Sequence, residues 1–292
     1  MPKLSIITIN LNNRGGLTDT AKSVVAQTWT DYEWIIIDGG SVDGSVGVIR
    51  EYVAQTDKIA YWCSEKDDGV YSAMNKGIDK ASGEYCWFLN SGDYAHKNTT
   101  LEEIFANEFD EDIVYGNIYS ANKELYTAGR VNRTKERNVR SPILWVDSPA
   151  IHHQASFIKR ELFTKLGGYS TNFKFASDTE FTMNAIFNNN ASIRYINTIF
   201  AFYDRSGMTS SIDDETQKTI SREYGKIMVD IFPNSYLEIY AKFVARRKMR
   251  KLFSPFLKFS SKIRRWGMRG TTRYYINKLF GRKRKTTDTS PS

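Results

Sequence analysis

Residues 64–93, SEKDDGVYSAMNKGIDKASGEYCWFLNSGD, decide how the rest of the chain is read. They run as an acidic loop, a short helix, a buried strand and a polar turn that closes on an aspartate. Cys86, Trp87, Phe88 and Leu89 are consecutive apolar residues, the pattern of a strand covered on both faces. Asn90-Ser91-Gly92 breaks that run abruptly. The Asp93 carboxylate is therefore expected at the strand's C-terminal edge, where open α/β sheets bind their ligands.

The same alternation extends toward the N-terminus. Residues 4–9, 33–37, 59–63 and 85–89 read as strands, the first and last of them buried, and residues 17–27, 42–53 and 71–80 have helical spacing, with Ser41 a candidate N-cap for the second helix. Strands alternating with helices across short loops predict an α/β fold with a mostly parallel central sheet. Beyond Asp112 the pattern loosens. Residues 113–119, 125–128, 155–158, 193–196 and 199–203 read as shorter strands, 130–140 as a basic polar loop, and 159–166 and 177–188 as helices. Residues 214–251 look helical, with a break near Pro233. Without an internal repeat or a long linker, one domain is expected over residues 1–211, its halves being 1–110 and 111–211. A helical, basic region of residues 212–292 follows.

A chain of 292 residues with 41% hydrophobic and 14% aromatic content has the composition of a globular protein with a sizeable core. Cys63 and Cys86 are its only cysteines and both fall in strand-like runs, which argues against a disulfide framework or a cysteine metal site. The first strand begins at once, leaving no room for a secretory leader, and no apolar run approaches the ~18 residues of a membrane span. A reduced, cytoplasmic setting is expected. The net charge of +8 is the average of two unlike parts: residues 1–241 hold 24 basic and 32 acidic residues, whereas residues 242–292 hold 17 basic residues and one acid, Asp288. An acidic body carries a strongly basic tail.

Asp38, Asp67 and Asp93 all stand at or just past strand ends, so burial of the apolar strands places their carboxylates on one rim. Taken singly each could be a turn or cap residue; three on one rim favour a shared ligand. Asp38 lies where a dinucleotide fold keeps its ribose-binding acid, but residues 10–16 contain no GxGxxG, and no P-loop is present. A diphosphate bound here would rely on a divalent cation, Mn²⁺ or Mg²⁺, with Asp93 the best-placed ligand.

The segments SIITINLNN, IIIDGGSVDGS and SEKDDGVYSAMNKGIDKASGEYCWFLNSGD, followed by HHQASFIKRELFTKLGGY and FASDTEF, resemble family 2 glycosyltransferases of the GT-A fold. The likeness is to bacterial enzymes that build exopolysaccharide and lipid-linked O-antigen repeats, and it spans residues 3 to about 210. It implies a UDP-sugar donor, with Thr8, Asn10 and Asp38 at the nucleoside and Asp67, Asn75, Lys76, Ser91 and Gly92 along the rest of the donor site. Lys76 could equally be a solvated surface charge. Many relatives carry Asp-x-Asp where this chain has Asn90 and Gly92, which leaves Asp93 as the one sure carboxylate for the metal. His153 could join it, bond the diphosphate or acceptor, or be structural.

Inverting transfer needs a base for the acceptor hydroxyl, and the resemblance places it at Asp178. Ser177 and Glu180 have capping-box spacing, which would put Asp178 in the first turn of a helix, where the dipole favours its ionised form. Glu180 is the second choice. Gln154 and Arg205, with Met208 nearby, would serve the acceptor or a loop over the site. The basic tail, residues 242–285, interleaves Lys and Arg with Phe, Leu, Ile, Trp and Tyr, a composition that suits an anionic bilayer, the plain alternative being a solvated or domain-packing helix. The glycan or polyprenyl-linked acceptor that the resemblance implies would explain a membrane-seeking tail. Nucleic acid is not expected, for the body is acidic and carries no recognisable module. A processive synthase would need Gln-x-x-Arg-Trp, and Lys262-Ile263-Arg264-Arg265-Trp266 lacks the Gln. The rival from another class is a non-catalytic protein that binds a nucleotide-sugar or an anionic lipid on the same scaffold.

Overall fold

The computed structural model describes residues 1–121, 130–132, 139–146, 149–204 and 213–245. Strands β1 (Leu4–Asn10), β2 (Tyr32–Asp38), β3 (Ile59–Ser64) and β4 (Tyr85–Phe88) lie parallel in the order β3-β2-β1-β4. Helices α1 (Arg14–Val25), α2 (Ser45–Gln55) and α3 (Val70–Lys80) make the crossovers. Every residue of β1 and β4 is buried, which is why these strands are apolar without alternation. Leu4, Ile6, Trp34, Ile36, Trp87 and Leu89 belong to one hydrophobic cluster. Gly77 brings α3 close to the sheet: a Cβ there would stand 2.4 Å from Ile7 Cγ2.

The second half departs from the parallel expectation. Strands β5 (Tyr94–Ala95), β6 (Ile113–Ala121), β7 (Arg130–Asn132), β8 (Ser156–Lys159) and β9 (Ile193–Asp204) extend the sheet in the order β4-β8-β6-β9-β5, with β7 beside β6. β8 runs antiparallel to both β4 and β6, β9 parallel to β6, and β5 antiparallel to β9. The sheet is thus parallel over β1–β4 and mixed beyond them. Where two short strands were expected, β9 is one strand whose pairing with β6 shifts register around Asn117. Residues 130–132 pair as a strand inside the expected basic loop; residues 125–128 lie outside the described residues.

Two capping expectations fail, the Ser41 side chain being taken by a stronger local partner and that of Ser177 being buried within its helix. Helix α2 starts at Ser45 with Gly44 (φ 95°) as its N-cap. Ser41 instead donates to Asp38 Oδ1 at 2.6 Å, and Asp43 Oδ1 accepts from the Ser45 amide at 3.0 Å. The Ser177–Glu180 box does not form either. Of the later helices α4 (Thr100–Phe105), α5 (Arg160–Leu166), α6 (Ser177–Met183) and α7 (Asp214–Ile231), α6 is capped by Ala176, and Ser177 is its first helical residue, fully buried.

Met1–Tyr236 form one compact unit, which includes α7 through buried Tyr224, Ile227, Met228 and Ile231. Leu237–Ser292 form another; its described part, residues 237–245, is helical and leaves Leu237 79% exposed. Among the described residues no helix is long and apolar enough to cross a membrane.

Candidate active site

The parallel register sets Asn10, Asp38 and Ser64 side by side at the C-terminal ends of β1, β2 and β3. Asp38 is fully buried, yet its carboxylate accepts from Asn10 Nδ2 (2.6 Å), Ser41 Oγ (2.6 Å), the Ser41 amide (2.9 Å) and Ser64 Oγ (2.5 Å). Burial alone would raise its pKa, but the bonds from Ser41, Ser64 and Asn10 together hold it below the usual carboxylate range. Asn10 Oδ1 is a buried acceptor without a partner.

Next along the rim, Lys76 reaches from α3 to Asp67 (2.5 Å) and Glu65 (2.7 Å). These two carboxylates raise the lysine's pKa, Asp67 more than Glu65. The second oxygen of Asp67 is buried without a partner. Asn75, on the same helix, is committed to a loop: it donates to the Tyr169 carbonyl at 2.7 Å and accepts from the Tyr169 amide at 2.8 Å.

The turn after β4 is pinned by Thr20, whose hydroxyl accepts from the Gly92 amide (3.0 Å) and donates to the Asp93 carbonyl (2.7 Å). Gly92 has φ 104°, the left-handed region that glycine enters without steric cost. Asn13 Nδ2 donates to the Ser91 carbonyl at 2.9 Å. The Asp93 side chain turns inward, leaving the residue 6% exposed. Its Oδ1 accepts from the Asp204 amide (3.1 Å) and its Oδ2 from Gln154 Nε2 (3.2 Å). Burial pushes the Asp93 carboxyl up to about 7, against the opposing pull of His153 and these two hydrogen bonds.

Facing this turn, Asp178 stands in the first turn of α6. Its Oδ1 accepts from Tyr71 Oη (3.1 Å), and its Oδ2 lies 2.9 Å from His153 Nδ1. Burial works against ionisation here too. The bond and charge of His153, the Thr179 amide and the Tyr71 hydroxyl outweigh it and keep the Asp178 pKa below the ordinary range. The side chains of Asp178 and His153 remain 14% and 20% exposed, so the pair opens to solvent. An ionised, directed carboxylate with residual access is what a general base requires.

Among the described residues no group of three or more His, Cys, Asp or Glu could hold a metal ion. The fit to a cation is therefore that of a partial site. Asp93 is a buried carboxylate whose ionisation burial opposes, and the Asp204 carboxylate adds to that opposition. Asp204 Oδ2 lies 3.8 Å from where a side chain at position 92 would begin. Such a pair suits a divalent ion that takes its other ligands from phosphate and water.

Residues 5–167 match the model of the family described as glycosyl transferase family 2. The chain belongs to this family. A relative from Mycobacterium tuberculosis, named an uncharacterized glycosyltransferase, is 36% identical over 193 residues, 63% of this chain and 69% of its own. A PGL/p-HBAD biosynthesis glycosyltransferase of Mycobacterium bovis is 28% identical over 218 residues, 73% of this chain and 82% of its own. Among solved structures, S. aureus TarS 1-349 in complex with UDP superposes with a TM-score of 0.61 at 18% identity, covering 86% of this chain and 72% of that one. At that identity the likeness shows the fold, a GT-A-type mixed α/β sheet flanked by helices.

Within this glycosyltransferase the sequence-chosen residues separate by what their side chains do. Asn10, Asp38, Asp67, Asp93, His153, Gln154 and Asp178 gather along the strand ends and the facing turn. Thr8 is interior, accepting from Trp34 Nε1 and donating to the Leu89 carbonyl, both at 2.9 Å. Glu180 is raised by burial and by Asp230 of α7, which places it on the α7 side of its helix. Arg205 and Met208 lie outside the described residues. Tyr71, Thr20, Asn13 and Asp204 went unnoticed in the sequence. Tyr71 alone had a signal, standing one turn before Asn75 on the same helix.

Proposed function

We propose that this glycosyltransferase moves a sugar, with inversion, from a nucleoside diphosphate sugar, most simply a UDP-sugar, to a glycan or lipid-linked acceptor. The observation that carries the reading is Asp178, kept ionised by His153 and Tyr71 and facing the turn that bears Asp93. Asp178 takes the proton of the acceptor hydroxyl as its oxygen bonds to the anomeric carbon. The bond from that carbon to the diphosphate oxygen breaks, and its electron pair leaves with the nucleotide. Asp93, with Asp204 beside it, would hold a divalent cation, Mn²⁺ or Mg²⁺, which supplies charge neutralisation to the departing diphosphate. Asn10, Asp38 and Asp67, two of them with a buried acceptor atom in want of a donor, line the nucleoside side. Ser91 and Gly92 border the phosphates, and Lys76 stands near them.

Several relatives support the donor class. Solved structures of S. aureus TarS contain UDP or UDP-GlcNAc, and a mannosyltransferase from Pyrobaculum calidifontis, with a TM-score of 0.55 at 13% identity, contains GDP-Man and Mn²⁺. The name of the Mycobacterium bovis relative places that protein in PGL/p-HBAD biosynthesis. For this chain the basic tail beyond residue 241 would bring the compact unit Met1–Tyr236, which takes in α7 from the expected C-terminal region of residues 212–292, to the inner face of an anionic membrane. The test is nucleotide release from a panel of UDP- and GDP-sugars with Mn²⁺ and Mg²⁺, with and without a polyprenyl-linked glycan extract. Acceptor-dependent release of UDP is expected. Release of nothing from any donor, by protein that binds UDP, would overturn the reading.

A further inference from the structure

Two adjacent side chains of one short turn hold the two carboxylates that the proposed reaction uses. The turn is the 3-10 helix His153–Ala155, which leads directly into β8. His153 Nδ1 meets Asp178 Oδ2 at 2.9 Å, and Gln154 Nε2 donates to Asp93 Oδ2 at 3.2 Å. The turn itself is fixed. Trp87 Nε1, from fully buried β4, donates to the Gln154 carbonyl at 2.9 Å, and the Ala155 amide closes on the His152 carbonyl at 2.9 Å. Gln154 is buried and has no other bonding task for its amide nitrogen among the described contacts.

We propose that the His153-Gln154 turn is the positioning device that sets the separation of the Asp93 and Asp178 carboxylates, His153 acting through Nδ1–H. The imidazole's two ends are unequal. Nδ1 has a full-strength contact to a carboxylate, whereas Nε2 is 3.5 Å from Asn90 Nδ2, at the limit of a hydrogen bond. A carboxylate accepts only, so at this distance Nδ1 carries the proton. Tyr71 fixes the other oxygen of Asp178, and the carboxylate keeps 14% of its side-chain surface exposed. Base and leaving-group sides come from remote parts of the chain, and a displacement of about 1 Å between reacting groups can cost 10²-fold. Spacing them from adjacent residues of a turn bolted to the central strand removes most of that freedom.

This inference rests on Asp178 as the base, and the test separates the two. The full chain has three histidines, His96, His152 and His153, so two-bond ¹⁵N–¹H spectra report each ring. An Nδ1–H tautomer for His153 that changes in Asp178→Asn is expected. Turnover is read as nucleotide release from the mixed UDP- and GDP-sugar panel, with kcat and donor KM measured separately and folding checked by thermal melting. An asparagine amide can stand where Nδ1 stood, and a glutamine amide where Nε2 stood. His153→Asn should therefore keep kcat within about tenfold, while His153→Gln and Gln154→Ala each lose about 10²-fold with donor KM little changed. Rescue by His153→Gln instead would show action through Nε2, as for a metal or phosphate ligand, and would overturn the proposal. Equal loss in both amide variants would point to proton transfer by the imidazole, and wild-type kcat in both would leave the turn without a role; either overturns it. An active Asp178→Asn variant would instead sink the base assignment itself.

Discussion

At the scale of single residues, Asp93 and Asp178 are both enclosed carboxylates, and their surroundings push them in opposite directions. Asp178 receives a histidine and a tyrosine and stays ionised; Asp93 receives two neutral donors, and burial carries it from 3.8 up to about 7. The signs follow by linkage. A folded-state pKa raised above the unfolded value means the folded chain binds the extra proton between pH ~4 and ~7, so stability falls as pH rises through that window, by at most roughly 4 kcal/mol. His152 acts the other way. Burial lowers it from 6.5 to about 4, so the unfolded chain binds the extra proton and stability rises with pH over nearly the same window. The two opposed effects predict metal-free protein whose melting temperature changes little between pH 4.5 and 6.5. Asp93→Asn removes one of them and should leave a melting temperature that climbs with pH in that interval, while transfer is abolished. Parallel curves for the variant and wild type would show that Asp93 is not perturbed. Asp178→Asn should cut kcat by about 10²- to 10⁴-fold at unchanged UDP affinity by calorimetry.

Among the elements, α3 decides how the two halves of the site meet. It brings Tyr71 to Asp178, Asn75 to the Tyr169 loop and Lys76 to Asp67, and it can do so only as close to the sheet as Gly77 allows. Ile7 is buried and β-branched, so it has little room to give way. Gly77→Ala would gain helix propensity of about 1 kcal/mol but overpack the β1 contact by about 1–3 kcal/mol. Net destabilisation is expected, with a loss of kcat larger than the fall in melting temperature alone explains, because Tyr71 moves with the helix. A variant more stable than wild type and fully active would contradict the close-packing argument. Strands β1, β2 and β4 were legible because each is a buried, largely unalternating apolar run, whereas β3, at the end of the sheet, has no fully buried residue. The caps were not: Ser41 and Ser177 have the right chemistry, but the carboxylate of Asp38 claims one and burial removes the other.

At the scale of the whole molecule, the acidic body and basic tail make separate demands. The described part of the second unit exposes Leu237 and Tyr240, and the 17 basic residues beyond residue 241 follow. Each basic residue near an anionic surface contributes about 1 kcal/mol, enough in sum to hold an acidic domain against a membrane. Deletion after about residue 240 should abolish co-sedimentation with phosphatidylserine vesicles and leave turnover of a water-soluble acceptor near normal. Undiminished sedimentation would remove the tail from membrane binding. In the intact protein, salt should weaken vesicle binding steeply, since the attraction is screened within about 8–10 Å.

By itself the sequence determined the α/β class, the four parallel strands and the rim on which Asp38, Asp67 and Asp93 would fall. Those features follow from local runs of buried residues and from the rule that strand ends gather at one edge. The tertiary structure alone decided the partners. His153 meets Asp178 across 25 residues, Gln154 meets Asp93 across 61, and the Asp204 amide reaches Asp93 across 111. These contacts depend on the antiparallel entry of β8 beside β4 and of β5 beside β9. Such pairings are set by which long-range packing buries the sheet best, and no residue near Asp93 in the chain announces them.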